Sequence, residues 1–142
     1  MNDSSRTPSY TTIPLHKAES GHLYLECTIN GTAADFILDT GAGATIIDEK
    51  SADKFGLATT ESENTAAGAG GNMTLKEAVA DRIEIEGFVL EKFTVHVMEL
   101  AHINDALTQT GMPVAEGVIG ADILSAGKAI IDYAALTLRL EQ

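Results

Sequence analysis

The sequence predicts a single, mainly β domain, either a small closed barrel or a sandwich, with one or two short helices. Short segments of alternating apolar and polar residues recur along the chain, bounded by Gly, Asn or Asp, as is typical of strands and turns. Helical periodicity is confined to the residues after Asp48, to residues 104–110 and to a turn or two after Gly120. The 142 residues, 44% of them apolar and 21% charged, suit one globular domain with its own core.

The first predicted strands form a hairpin. Residues 23–29 alternate strictly, so that one face is apolar and the other is polar. Asn30-Gly31 follows, which is a strong signal for a two-residue hairpin turn, and residues 33–38 then form a second, more fully buried strand. This second strand leads directly into Asp39, so the hairpin places that aspartate at the end of a strand.

A longer hairpin is predicted in the middle of the chain. A short helix is expected before it, over residues 49–55, because Asp48 can cap its start and Gly56 can adopt the left-handed conformation that ends a helix. Residues 66–72 are Gly and Ala apart from the final Asn, and we therefore expect them at a hairpin tip. Strands are predicted at residues 57–65, 73–80, 83–85, 89–98, 118–120 and 136–140.

The ends of the chain and its hydropathy bound the domain. Residues 1–11 are mostly polar and carry no periodicity, so they are predicted to be a flexible N-terminal arm before a domain over residues 12–142. No apolar run is long enough to cross a bilayer, and residues 1–6 lack the apolar stretch of a signal peptide. We therefore expect no membrane partner and, unless a signal segment has already been removed, a cytoplasmic location by default.

Composition argues against several classes of partner and cofactor. The net charge is −12 and the nine Lys and Arg residues are scattered, so we expect no nucleic acid as a partner. Cys27 is the only cysteine, which excludes an intrachain disulfide, and the four histidines lack a shared metal-ligand spacing. Gly41-x-Gly43 lacks the remainder of a nucleotide-binding motif. We therefore expect neither a metal nor another cofactor.

Asp39 is the candidate catalytic residue. It follows an apolar strand and precedes the small residues Thr40 and Gly41, so its carboxylate is expected on an exposed tight turn with an apolar floor. Two carboxyl groups within hydrogen-bonding distance share one proton, because the repulsion between two negative charges at that distance prevents both groups from ionising. The ionised member can take a proton from water while the protonated member donates to a carbonyl, as amide hydrolysis requires. The alternative is a turn aspartate that only accepts hydrogen bonds from its own backbone.

Three segments of the chain resemble the signature of the retropepsin-like aspartic proteases. In that family, Asp-Thr/Ser-Gly follows an apolar strand, a Gly-rich hairpin called the flap comes later, and two apolar residues followed by Gly complete the pattern. The matching segments, in chain order, are Asp39-Thr40-Gly41-Ala42, Gly68-Ala69-Gly70-Gly71 and Val118-Ile119-Gly120. The resemblance covers residues 12–140.

The resemblance implies a retropepsin-like acid protease barrel that forms a two-fold dimer and takes a peptide or protein as substrate. Asp39 would be the catalytic acid, Thr40 would hydrogen-bond across the dimer, and Gly41 would let the substrate backbone approach closely. Residues that would bind substrate are Gly41, Ala42, Gly43, Gly68, Ala69, Gly70 and Gly71, and those that would support the catalytic loop are Thr40, Gly41, Val118, Ile119 and Gly120. Two-domain relatives carry two such Asp segments and this chain carries one, so the second aspartate would come from a second copy.

Some positions depart from the retroviral pattern. Retroviral proteases usually carry acidic residues after the Ala and an Arg after the later Gly, whereas this chain has Gly43, Ala44 and Ala121. The corresponding ion pair is therefore absent, and the pattern is more similar to a cellular or bacterial branch. Asp122 is expected to cap a short helix. Ala42 cannot donate the hydrogen bond that a Ser or Thr gives to a carboxylate, which predicts a mildly acidic pH optimum.

Two hypotheses of function follow from these residues. The first is a homodimeric aspartic endopeptidase, a hydrolase that performs proteolysis with a water activated by Asp39 and its symmetry mate. The second is a catalytically silent module of the same fold that binds peptides or only dimerises. The intact Asp39-Thr40-Gly41 segment favours the endopeptidase. In this family the dimer sheet often uses the chain ends, which here would be residues 136–142.

Overall fold

The computed structural model describes residues 9–68, 71–109, 111 and 114–142, and it describes side chains in these ranges except at residues 62–68, 71–75 and 106. The strands are β1 (Tyr10–Pro14), β2 (His16–Lys17), β3 (Leu23–Ile29), β4 (Thr32–Leu38), β5 (Ile46–Asp48), β6 (Thr60–Gly68), β7 (Gly71–Ile85), β8 (Phe88–Met98), β9 (Gly117–Ile119), β10 (Ile130–Asp132) and β11 (Thr137–Glu141). The helices are a 3-10 turn (Glu49–Ser51), α1 (Ala101–Gln109) and α2 (Ala121–Ala126).

The larger sheet closes into a barrel. Its strands follow the order β2-β3-β4-β9-β5-β8-β7-β6, and β3 pairs in addition with β7 through Thr28 with Glu84 and Ile29 with Ile83. This extra pairing joins two strands that are distant in the sheet order, so the sheet curls back on itself. A separate three-stranded sheet has the order β1-β11-β10. The mainly β barrel with few short helices is thus confirmed, and the sandwich alternative is not adopted.

The barrel core is built from the apolar faces that the alternation predicts. On β3, the side chains of Leu25, Cys27 and Ile29 are at most 1% exposed. Phe36 on β4 packs against Phe55, with ring centroids 6.2 Å apart. Burial raises the pKa of the Cys27 thiol to about 12, because the interior disfavours the thiolate. Cys27 is therefore a buried apolar residue of the core.

The β3–β4 turn confirms the hairpin that Asn30-Gly31 predicts. Asn30 and Gly31 have φ of 50° and 88°, the left-handed pair that a type I′ turn requires. The Asn30 side chain also donates from Nδ2 to the Phe55 carbonyl oxygen (3.0 Å) and accepts at Oδ1 from the Arg82 backbone N–H (3.1 Å). The turn is therefore attached to β7 and to the segment after the 3-10 turn, which fixes where β4 begins.

The middle of the chain differs from the prediction in two places. No α-helix forms over residues 49–55, where one was expected. Asp48 caps a 3-10 turn instead, and the chain continues as turns to Gly56. Gly56 has a φ of 66°, which is the left-handed conformation predicted for it. The strands expected at 73–80 and 83–85 are parts of the single strand β7. Asp81 and Lys92 interrupt its pairing with β8, yet their side chains form an ion pair (2.9 Å) across the irregularity, so both strands continue.

Strand β1 begins earlier than the predicted domain boundary. Tyr10 and Thr11, which the sequence assigns to the N-terminal arm, pair with Glu141 and Leu140 of β11. Residues 1–8 lie outside the described residues. A polar sequence can still form an edge strand when a partner strand supplies its hydrogen bonds, which local periodicity does not reveal.

Helix α1 covers a second, smaller core next to the strand that carries Asp39. Its Leu107 is 1% exposed and packs in a cluster whose other buried members are Ala18, Tyr24, Ile37 and Ala115. Burial, followed by the nearby Asp35 charge, raises the pKa of Tyr24. None of the described helices is long and apolar enough to cross a membrane.

Candidate active site

Asp39 lies at the end of a buried strand on an exposed turn. Phe36, Ile37 and Leu38 before it are buried, whereas Asp39 itself is exposed. The Asp39 backbone N–H donates to the Ile119 carbonyl oxygen of β9 (3.0 Å), which extends the parallel β4–β9 pairing by one more bond. The aspartate backbone is therefore held by the barrel while its carboxylate faces solvent.

The carboxylate accepts a hydrogen bond from its own loop. The Gly41 N–H donates to Asp39 Oδ1 (2.9 Å), and the Ala42 N–H donates to the Asp39 carbonyl oxygen (3.2 Å). The first of these bonds satisfies one carboxylate oxygen and orients the side chain, because the N–H is fixed by the turn. This is also the bond that the turn-aspartate alternative requires, so the loop alone is compatible with both readings of Asp39.

A buried polar network fixes the loop from below. Thr45, which is fully buried, donates from its hydroxyl to Asp122 Oδ1 (2.7 Å) and accepts from the Gly120 N–H (3.1 Å). The Thr45 N–H donates to Asp122 Oδ2 (3.0 Å). The hydroxyl and N–H of Thr45 and the N–H of Gly120 thereby have partners, which buried polar groups need in order not to destabilise the fold. The network joins the end of the loop to the start of α2.

The role predicted for Asp122 as a helix cap is wrong. The residue that precedes α2 is Gly120, which has no side chain to cap the helix, and Asp122 lies inside the first turn. Its carboxylate accepts instead from Thr45 and from the adjacent Ile123 N–H (2.7 Å). The helix dipole also favours a carboxylate near the start of a helix. An aspartate at this position is therefore compatible with a capping role and with a role in the network, and only its contact with Thr45 distinguishes the two.

Gly120 and β9 pack directly against the loop. A Cβ atom on Gly120 would lie 2.5 Å from the Ala44 carbonyl oxygen and 2.8 Å from the Ala42 carbonyl oxygen, so only glycine fits. Val118 and Ile119 are buried and pair with Ile37 and Leu38 of β4. The loop and the later apolar-apolar-Gly segment, which are far apart in the sequence, are thus brought together.

The residues predicted to bind substrate fall into two groups. Gly41 and Gly43 are exposed and Ala42 is partly exposed, beside Asp39 on the same loop. Gly68 and Gly71 pair with each other at the distal end of β6 and β7. Ala69 and Gly70 lie outside the described residues.

Two grooves flank the loop. The first, of about 390 Å³, is lined by His22, Asp39, Thr40, Ile131 and Tyr133, among others. The second, of about 340 Å³, is lined by Thr40, Ala121, Leu124, Ser125, Lys128, Ala129 and Ile131. Thr40 and Ile131 belong to both grooves, so β10 lies immediately beside the Asp39 loop. Among the described residues, no group of three or more His, Cys, Asp or Glu side chains is arranged to hold a metal ion.

Comparison with protein-family models identifies the family to which this chain belongs. The family model described as "Aspartyl protease" matches residues 25–123, which include Asp39, the β6–β7 hairpin and the segment around Gly120. The chain belongs to the aspartyl protease family. No match to a curated protein is found for this family member.

Solved structures place this aspartyl protease family member in the retropepsin-like fold. A retropepsin-like aspartic protease from Rickettsia conorii is 17% identical, with a TM-score of 0.64 over 95% of this chain and 92% of that chain. The EIAV protease complexed with the inhibitor HBY-793 is 19% identical, with a TM-score of 0.56 over 78% and 91%. The retroviral protease-like domain of Ddi1 from Leishmania major is 19% identical, with a TM-score of 0.57 over 84% and 87%. The predicted retropepsin-like fold is confirmed.

Sequence reasoning missed several residues of this aspartyl protease site. Thr45 and Asp122 form the network under the loop, and Ile131 and Tyr133 line the grooves, but none was predicted in these roles. A threonine among apolar residues at positions 44–47 is a weak signal of a buried hydroxyl that needs a partner. No local pattern identifies the partner, because Thr45 and Asp122 are far apart in the sequence.

Proposed function

We propose that this chain is a homodimeric aspartic endopeptidase. The observation that supports the proposal most directly is the position of Asp39. Its carboxylate is exposed beside a groove of about 390 Å³, its backbone is held by β9, and one oxygen is oriented by the Gly41 N–H. Membership of the aspartyl protease family supports the same reading.

A second copy supplies the other carboxylate. The chain contains a single Asp-Thr-Gly segment, so one subunit offers one aspartate. A two-fold axis beside the exposed turn brings the Asp39 carboxylates of the two subunits together. Two carboxylates at so short a distance share one proton. Thr40 of each subunit faces the axis and steadies the paired loops. A monomer is therefore inactive.

The shared proton gives the pair both functions that amide hydrolysis needs. The ionised carboxylate takes a proton from a bound water, whose oxygen attacks the peptide carbonyl carbon, while the protonated carboxylate donates its proton to the carbonyl oxygen. The tetrahedral gem-diol intermediate then collapses. The leaving amine nitrogen takes up a proton from the pair as the C–N bond breaks, and one hydroxyl group of the gem-diol returns its proton to the pair as its oxygen re-forms the C=O bond. The products are a carboxylic acid and an amine, and the pair returns to its singly protonated state.

The substrate is an extended peptide that lies between the subunits. Gly41 and Gly43 present backbone without side chains beside Asp39, which allows a peptide main chain to approach closely. The β6–β7 hairpin of each subunit, which includes Gly68 and Gly71, covers the peptide from the other side. The loop lining is small and apolar, so apolar side chains are preferred next to the scissile bond.

The test is cleavage of a mixed peptide library between pH 3 and pH 8, together with the molecular mass at each protein concentration. Wild-type activity peaks in mild acid and follows the dimer fraction. Asp39→Asn lowers the rate at least about 100-fold, because the acid and base pair is lost. Asp53→Asn is the matched control: this aspartate is exposed and lies outside both grooves, so the rate is unchanged.

Two results would count against the proposal. Equal cleavage by wild type and Asp39→Asn would mean that another group, or a contaminant, performs the hydrolysis. A stable dimer that binds peptides but cleaves none of them at any pH would support the silent peptide-binding module instead.

A further inference from the structure

His22 lies at the same end of the barrel as Asp39. The pairing of β3 with β4 ends with Leu23 opposite Leu38. One step further along each strand come His22 and Asp39, so the antiparallel register brings these two residues to neighbouring positions. Both line the groove of about 390 Å³. An imidazole therefore lies in the groove that contains the candidate catalytic carboxylate, and hydrolysis by the paired aspartates does not use it.

A tight turn fixes the backbone of His22. The His22 carbonyl oxygen accepts from the Ala18 N–H (2.8 Å), and the Ala18 carbonyl oxygen accepts from the Gly21 N–H (2.9 Å). Gly21 has a φ of 92°, which glycine adopts without strain. Ala18 is itself buried in the smaller core that α1 covers. The turn that presents His22 is therefore anchored to the interior of the protein.

The Ser20 hydroxyl orients the imidazole ring. Ser20 Oγ lies 2.7 Å from His22 Nδ1, and it accepts from the His22 backbone N–H (3.4 Å). Nδ1 is thus engaged, whereas Nε2 has no hydrogen-bond partner in the described part of the chain. A neutral ring that accepts at Nδ1 carries its hydrogen on Nε2, and a protonated ring carries a hydrogen on each nitrogen. In both forms Nε2 is a donor for a ligand in the groove.

The other groups that line this groove make the Nε2 donor selective. Its apolar lining includes Ile37, Leu38 and Ile131, and hydroxyl groups come from Thr40 and Tyr133. Hydroxyl groups both donate and accept, whereas the Nε2 N–H only donates. A peptide side chain that fills the groove displaces water, so an oxygen on it needs a donor, and an apolar side chain leaves Nε2 without a partner. The groove therefore favours side chains that carry a carbonyl-type oxygen.

We infer that His22 is a specificity-determining residue that selects peptides with a carboxamide or carboxylate side chain, Gln or Glu, near the scissile bond. His22 Nε2 donates to the side-chain oxygen of the peptide. In a two-fold dimer one His22 lies on each side of the paired Asp39 residues, so the preference applies on both sides of the bond. His22 adds this polar position to the apolar preference of the Asp39 loop. The inference rests on the proposed function and names a class of substrate for it.

The test is capture of peptides from a mixed library by immobilised Asp39→Asn protein, which binds peptides without cleaving them. Captured peptides are sequenced, and Gln and Glu are compared with Met, whose side chain is of similar length but is only a weak acceptor. Gln, Glu or both are enriched over Met about fivefold, as one net hydrogen bond gives. A second substitution, His22→Leu, abolishes the enrichment. His22→Gln retains it, because an amide N–H replaces the ring donor.

Two further variants separate the donor from its surroundings. His102→Leu is the matched control: this histidine is also exposed, lies on α1 and lines neither groove, so the enrichment is unchanged. Ser20→Ala leaves the donor in place but frees the ring to rotate, and the enrichment falls to about twofold. Enrichment of Glu alone identifies a carboxylate as the preferred group, and equal enrichment of Gln and Glu identifies the oxygen that they share.

A cleavage assay distinguishes failure of this inference from failure of the proposed function. The ratio of kcat/KM for Gln or Glu peptides to that for Met peptides is measured for the wild type and for His22→Leu. Equal capture and equal cleavage of all three kinds of peptide overturn the role of His22, while the protease proposal stands. A preference that persists in His22→Leu, or a loss in that variant that is equal for all peptides, also overturns it. If no peptide is captured and none is cleaved, both proposals are overturned.

Discussion

At the residue scale, the Asp39 loop depends on atoms that touch it from a distant part of the sequence. Gly120 lies against the carbonyl groups of Ala42 and Ala44, and its own N–H donates to the Thr45 hydroxyl. The Ala121 N–H then donates to the Ala42 carbonyl oxygen (2.7 Å). The loop that carries the carboxylate is therefore positioned by main-chain contacts, which leave no room for a larger residue at position 120.

Gly120→Ala is expected to destabilise the protein by about 3 kcal/mol, because the added methyl group overlaps backbone atoms that cannot move without displacing the loop. Gly43→Ala is the matched control: it adds the same methyl group to the same loop, and nothing lies within 4 Å of its Cβ. The measurement is the free energy of unfolding in urea. Equal stability of the two variants would show that the loop relaxes around the methyl group at no cost.

At the element scale, α1 has a structural connection to the strand that carries Asp39. Its Asn104 side chain accepts from the Ala115 N–H (2.9 Å) and donates to the Ala115 carbonyl oxygen (3.1 Å). Ala115 and Leu107 are packed with Ile37 of β4, two positions before Asp39. Helix α1 therefore hydrogen-bonds to the segment that leads into β9, through Ala115, and packs against β4, through Ile37.

Asn104→Ala is expected to lower the free energy of unfolding by about 2 kcal/mol, since two backbone groups of the fully buried Ala115 lose their hydrogen-bond partners. Asp105→Ala, at the next and exposed position of α1, removes a side chain of similar size and should change stability by less than about 0.5 kcal/mol. Thermal and urea unfolding measure both. Similar losses in the two variants would contradict the role assigned to Asn104.

The elements also show what local sequence can and cannot predict. The β3–β4 hairpin and the exposed turn at Asp39 are predictable, because alternation, Asn30-Gly31 and an apolar run before small residues act over neighbouring positions. The extent of β7 is not, because its continuation through Asp81 depends on a partner side chain on β8. Likewise Thr45 appears as one more core residue until Asp122 is placed next to it. The contacts that were missed are those made between elements.

At the scale of the whole molecule, the net charge of −12 opposes association of two identical chains. The described ion pairs are largely on the surface, for example Arg82 with Glu84 and Lys92 with Asp81, and most of the acidic excess therefore remains in solvent. The contact that joins two copies must overcome this repulsion. Dissolved salt reduces the repulsion, because it screens charges over distances of about 10 Å.

Dimer formation is therefore expected to strengthen with salt. The dissociation constant of the dimer should fall several-fold between roughly 20 mM and roughly 500 mM NaCl, as repulsion between the two subunits is screened. Sedimentation equilibrium at both salt concentrations measures it, and sucrose at matched osmolality should leave the constant unchanged. A constant that rises with salt would indicate attractive ion pairs across the interface instead.

The pairing of β1 with β11 also has a consequence for how the molecule folds. Thr12 pairs with Arg139, so nearly all of the described chain lies between two adjacent strands, and forming this pair closes a very long loop. Contacts of such high sequence separation form slowly, because chain entropy is lost before they stabilise anything. Strand β10 gains its only described partner, β11, in the same sheet. The three-stranded sheet is therefore expected to form late in folding, after the hairpins of the barrel whose strands are close in the sequence.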